Sequence, residues 1–118
     1  MFGLSKEVTS YGEKRSSQFS KIMKKSLKPR GEDILIISDY GLNSNTIAST
    51  IGYGYYHAAY KKGLNVEMLF QDSKKGFMYA DDHVINALRR LEKESIIIVA
   101  VSNKLGRLSD SNSFRDFC

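Results

Sequence analysis

One cysteine, Cys118, and one proline, Pro29, are all that this chain of 118 residues contains of either. A lone cysteine excludes an intrachain disulfide and a zinc site built on several thiolates, and a reducing, cytoplasmic setting is the expectation. No stretch approaches the roughly 18 apolar residues that a membrane span needs. Residues 1–11, with Lys6 and Glu7, lack the apolar centre of a signal peptide. A soluble, unexported protein with no membrane partner is therefore expected. There is no internal repeat and no low-complexity tract.

The signatures of common chemistry are missing as well. No serine sits in a G-x-S-x-G elbow, and no histidine is positioned to activate Cys118. A dinucleotide loop wants three glycines in G-x-G-x-x-G directly after the first strand, whereas Gly41-Leu42-Asn43-Ser44-Asn45-Thr46 has one. Asp72 stands where a ribose-binding carboxylate would, but Gly52-Tyr53-Gly54 falls two turns into a helix, the wrong place for a phosphate loop. Asp81-Asp82-His83 contains metal-ligand types, yet adjacent helical residues do not share a face, and capping is the simpler role. His57 has no acidic residue three or four positions away. No catalytic residue, metal or cofactor is expected.

What remains is an ordinary globular composition, 42% hydrophobic and 26% charged. A chain of this length buries roughly two-thirds of its unfolded surface, enough for a core. Residues 1–118 read as a single α/β domain with a basic leading segment over 1–30. That segment carries eight Lys or Arg against Glu7 and Glu13, a net of +6, while the other 88 residues carry ten basic and eleven acidic side chains.

Three apolar runs organise the body: 34–37, 66–70 and 96–101, ending in Ser38-Asp39, Gln71-Asp72 and Ser102-Asn103. Each follows a helix-like stretch, the rhythm of parallel strands joined by helices. Over 16–27, Phe19, Ile22, Met23 and Leu27 share one helical face and the lysines lie elsewhere, with Pro29 as the stop. A strand over 33–38 follows. A helix over 46–62 buries Ile47, Ile51, Tyr55, Ala58 and Ala59, with Gly52 and Gly54 admitting a close backbone and Gly63 closing it. A strand over 65–70, a loop over 71–80, a helix capped by Asp81 or Asp82 and carrying Val84, Ile85, Leu88 and Leu91, and a strand over 95–101 complete the pattern. The tail turns at Gly106, and Phe114 and Phe117 suggest a short docking helix over 111–117. The expected fold is a three-layer, Rossmann-like α/β arrangement: a parallel sheet of three strands in the order 2-1-3 with helices on both faces. Both sheet edges would lie open, so a homodimer, a covering tail or a partner domain is expected.

Open α/β sheets bind ligands at the carboxyl ends of their strands. That rim would bring together Asp39, Tyr40, Gly41, Asn43, Ser44, Ser102, Asn103 and Lys104, a candidate site for a small anionic metabolite or nucleotide held by a helix N-terminus and Lys104. Helix capping is the ordinary role of Asn43, Ser44 and Asn45. A second candidate surface, for nucleic acid, is Lys21, Lys24, Lys25, Lys28 and Arg30 on the first helix. It lacks interleaved aromatic platforms, so nucleic acid is the less favoured partner.

From residue 20 to 108 the chain resembles the N-terminal region of the metallo-aminopeptidase T (leucyl aminopeptidase T-like) family. The likeness rests on Leu27-Lys28-Pro29-Arg30-Gly31-Glu32-Asp33, the apolar strand closing on Asp39, the helix through Ala58-Ala59 and the strand opening Gly63-Leu64-Asn65-Val66, and covers about three-quarters of the chain. In that family the metal ions and their ligands lie in a C-terminal catalytic domain, and no position here matches those ligands. The resemblance implies a front domain without hydrolytic activity of its own, acting in self-association or as a scaffold for a partner catalytic domain.

Overall fold

Residues 34–39, Ile-Leu-Ile-Ile-Ser-Asp, have no side that faces water. All six are buried, which an unbroken apolar run achieves only as a strand covered on both faces. The computed structural model, which describes residues 4–41, 46–92 and 94–109, sets this strand at the centre of a parallel sheet. Strand β1 (Ile34–Asp39) pairs on one side with β2 (Val66–Gln71) and on the other with β3 (Ile96–Ala100). Ile34 stands opposite Val66 and Ile96, so the three strands start level. The order is β2-β1-β3, as the sequence predicts, and the strand ends differ from expectation by a residue or two.

Because side chains alternate along a strand, β1 seeds two cores. Ile34 and Ile36 pack with Val8, Met23, Tyr53, Ala58, Ala59, Met68 and Phe70. Leu35 and Ile37 pack with Ala80, Val84, Ala87, Leu88, Leu105 and Leu108. The first layer is formed by α1 (Lys6–Lys14), α2 (Ser16–Ile22) and α3 (Ile47–Lys61), the second by α4 (Asp82–Arg90) and the segment after β3. Helices on both faces of a small parallel sheet make this a Rossmann-like α/β fold. Among the described residues no helix is long and apolar enough to cross a membrane.

Three expectations need correction. Residues 6–14, where no helix is expected, form α1, started by Ser5, whose hydroxyl accepts the Val8 N–H at 3.3 Å. Its apolar signal is thin because only Val8 and Gly12 are buried. The expected apolar face of the next helix is only half used. Met23 is buried and Phe19 partly so, but Ile22 and Leu27 are exposed. A π-helical turn over Met23–Leu27, closed by the Lys28 N–H on the Met23 carbonyl at 3.0 Å, inserts a residue and rotates Leu27 off the buried face, while Ile22 precedes that turn. In α3, Ile47 and Ile51 are exposed while Ala48, Ser49, Gly52, Tyr53 and Gly54 are buried. The start of α3 runs alongside the outer edge of β3, where no described element covers those isoleucines. The expected helix over 111–117 and Cys118 lie outside the described residues.

Gly52 and Gly54 mark where α3 is approached closely: at Gly54 by the α1 backbone, since a Cβ on Gly12 would lie 3.4 Å from the Gly54 Cα, and at both positions by side chains. A Cβ on Gly52 would sit 2.9 Å from Met68 Cε and 3.2 Å from Ser38 Cβ, and one on Gly54 would overlap the Phe19 ring. That ring is held edge-on against Tyr55 at 5.1 Å. Elsewhere in a helix, glycine to alanine gains about 1 kcal/mol. Here the sign reverses: Gly54→Ala is expected to destabilise by about 1–3 kcal/mol through overpacking, and Gly52→Ala by less, since a flexible methionine terminus can retreat. Urea denaturation of the two variants checks the order.

Candidate functional site

The carboxyl rim of the sheet is stitched by Asp39. This residue ends β1 fully buried, and each oxygen of its carboxylate is engaged. Oδ1 accepts the Gly41 N–H at 3.0 Å and the Ser102 hydroxyl at 2.7 Å, and Oδ2 accepts the Ser102 N–H at 2.8 Å. A buried carboxylate needs such donors to offset its desolvation. The bonds tie the exits of β1 and β3 together at the point where the chain direction diverges, the usual ligand crevice of such sheets. Of the rim residues predicted from sequence, Asp39, Gly41 and Ser102 are therefore brought together, and they bond to one another. Tyr40 is half exposed and stacks on Phe70 with ring centroids 5.5 Å apart. Asn103 is exposed, and Lys104 Nζ donates to the Gly76 carbonyl at 3.0 Å, across the loop after β2. Asn43 and Ser44 lie outside the described residues.

A second polar cluster, which sequence reasoning missed, joins β2 to that loop. The buried Gln71 side chain donates to the Leu105 carbonyl at 2.7 Å and accepts the Asp81 N–H at 3.0 Å. The Lys74 ammonium, almost fully buried, pairs with Asp81 at 2.5 Å. Residues 74 and 104, and 79 and 107, form isolated bridges, so the loop and the segment after β3 hold each other over the second core. Asp81 does precede α4, but it makes no capping bond with its side chain, because Lys74 takes the carboxylate. His83 Nε2 lies 2.6 Å from the Phe70 carbonyl. His57 packs near Tyr53 with its Nδ1 buried and unpartnered. Among the described residues no group of three His, Cys, Asp or Glu could hold a metal ion.

The basic residues of the leading segment do not form one stripe. Lys24, Lys28 and Arg30 line a hollow of about 640 Å³ together with Ser20, Met23, Pro29, Lys62 and Leu64. Lys21 and Lys25 are exposed and do not line it. Lys62 was not among the sequence candidates. Its place follows from the parallel pairing of β1 and β2, which brings the approaches to both strands side by side. A smaller hollow of about 330 Å³ at the same end carries charges of both signs, from Asp33, Glu67, Arg90 and Glu92. The outer side of β3 borders a groove of a different character, lined by Ile47, Ala48, Ile51, Val99, Ala100, Val101 and Ser102.

Comparison of the chain with protein-family models, with curated proteins and with solved structures yields no match.

Removing the Asp39 carboxylate strands three donors. Asp39→Ala is expected to cost about 3 kcal/mol, and Ser102→Ala, which removes one hydroxyl, about 1 kcal/mol, both measured by chemical denaturation. The ion pair sets a pH dependence. The Lys74 ammonium, hydrogen-bonded to Asp81, holds that carboxyl below its ordinary value. A group whose folded pKa is depressed contributes stability above its unfolded pKa and loses it as pH falls through the folded one. Asp81→Asn is expected to lower the melting temperature at neutral pH, with the gap to wild type closing below about pH 4.

Proposed function

We propose that this chain acts as a non-catalytic α/β domain whose work is self-association, consistent with the front-domain role that the aminopeptidase T resemblance implies. The observation that carries this reading is the outer edge of β3. The strand reads Ile-Ile-Ile-Val-Ala and, among the described residues, is paired on one side only. Soluble proteins usually blunt such edges with a charge, a proline or a bulge, and this strand has no charge and no proline. Within it Val99 is 36% exposed, and beside it Ile47 is 65% exposed and Ile51 40%.

The occupant of that edge is a second copy of the chain. A two-fold interface brings one patch against itself, so charged residues in it would meet their own like charges. None of the residues lining the groove is charged, and the patch is self-complementary in that respect. Antiparallel pairing of β3 with its symmetry mate would turn two three-stranded sheets into one of six strands, close to the common size of sheets, and satisfy both rows of open backbone groups. An enzyme or metabolite-binding role at the carboxyl rim has less support, because Asp39, Gly41 and Ser102 already bond to one another.

Light scattering and sedimentation are expected to give a dimer for the wild-type chain. A charge at the edge acts twice across a two-fold axis, so Val99→Lys and Ile47→Lys are each expected to raise the dissociation constant by about 100-fold while a cooperative melt is retained. A wild-type monomer at every accessible concentration overturns the reading, as does a dimer indifferent to both substitutions.

A further inference from the structure

We propose that the hollow between the π-helical turn and the end of α3 is a binding site for a compact organic phosphate, held by Lys24, Lys28, Arg30 and Lys62 over an apolar floor. The site lies at the amino ends of the strands. Pro29 and Arg30 lead into β1, and Lys62 and Leu64 lead into β2. Four cationic side chains line it, and no acidic one does. None of the four is in a salt bridge among the described residues. The nearest acid along the chain, Glu32, accepts the backbone N–H of Arg30 at 2.5 Å. Met23, Pro29 and Leu64 supply apolar lining, with Met23 only 1% exposed.

The ordinary explanation for lysines at such a place is that they neutralise helix C-termini. Two helices end here, α2 through its π turn and α3, and each contributes a partial charge of about −0.5. The two poles and the Glu32 carboxylate, held in its charged form beside Arg30, offset about two of the four positive charges. The remaining excess is what a bound anion would balance.

The backbone adds an independent observation. Lys28 has φ 47° and ψ 57°, the left-handed conformation that is strained for a residue bearing a side chain, and it directly follows the π turn. Pro29 disfavours continuation of the helix through Lys28, since the ring of a following proline crowds the α conformation of the residue before it. The left-handed turn sets Lys28 beside Lys24 and Arg30 in the lining of the hollow. π-helical turns and strained residues of this kind recur at functional sites.

The shape selects the class of ligand. A polynucleotide would be tracked by a stripe of cations, yet Lys21 and Lys25 do not line the hollow. The remaining cations converge on a concave site with an apolar floor, which suits a small molecule carrying a phosphate on a hydrophobic body.

Isothermal titration with phenyl phosphate, inorganic phosphate and a single-stranded oligonucleotide tests the proposal on the intact chain. Phenyl phosphate is expected to bind more tightly than inorganic phosphate, and Lys24→Gln and Lys62→Gln each to weaken it roughly tenfold at low salt. Lys21→Gln and Lys25→Gln are expected to leave it unchanged. Lys28→Gly separates binding from folding, because it relieves the left-handed strain while removing a cation: the melting temperature should hold or rise as affinity falls. The proposal is overturned if phenyl phosphate does not bind, if all five lysine substitutions weaken it alike, or if the oligonucleotide binds more tightly and depends on Lys21 and Lys25.

Discussion

Strand β1 offers no surface to solvent, and that single constraint organises the molecule. Six buried residues must have every backbone group paired and both faces covered. The pairing is supplied by β2 and β3, whose first residues lie level with Ile34. The covering is supplied by two cores on opposite faces of the sheet, one containing Ile34 and Ile36 and the other Leu35 and Ile37. A fault in β1 would reach both layers at once. The polar end of the strand obeys the same rule: Ser38 and Asp39 are as buried as the isoleucines. Asp39 meets the requirement with three donors, two of them backbone N–H groups, whereas the Ser38 hydroxyl has no hydrogen-bond partner and faces the spot that Gly52 leaves open.

The parts legible in the sequence were those where one residue pattern has one solution. An apolar run of four to six residues ended by a polar pair, repeated three times with helices between, leaves little besides parallel strands, and the right-handed crossover rule limits their order. Val84 and Leu88 on α4 were equally plain, because that helix has one buried side. Legibility failed where burial is decided by what lies opposite. Ile47 and Ile51 have the spacing of a buried face, yet the sheet ends before it can cover them. The α1 helix was invisible for the converse reason: it docks through Val8 and the absent side chain of Gly12, which Tyr53 fills from the other side. No periodicity of apolar residues records a contact made by a missing Cβ.

The rim residues show the same limit in polar form. Aspartate at the end of a central strand reads as a ligand contact when its neighbours are unknown. Its partner, Ser102, lies 63 positions away, and the pairing exists only because β3 runs parallel to β1 on its far side. Lys74 and Asp81 sit seven positions apart in a segment that reads as loop. The lysine is desolvated where the segment after β3 bridges residue 74, and the ion pair with Asp81 offsets that cost. Such partnerships cannot be read from spacing, since they are set by topology.

Topology also accounts for the unequal treatment of the two ends of the sheet. In most open α/β sheets the strand exits are the receptive end, because loops there are free and helix N-termini present unpaired N–H groups. Here the donors beside Asp39 are spent on its carboxylate, and the loop after β2 is bridged to the segment after β3. At the opposite end two helices finish with their carbonyl poles toward the strand entries, an arrangement that calls for positive charge, and the chain supplies more than those poles can use. Charge in excess of its local partners raises the free energy of the unliganded state, and folding tolerates it only where something else in the structure compensates. Met23, the most deeply buried residue of that segment, is such a compensation. Its side chain anchors the π turn in the first core, so hydrophobic burial of one residue fixes the backbone that carries Lys24 and Lys28.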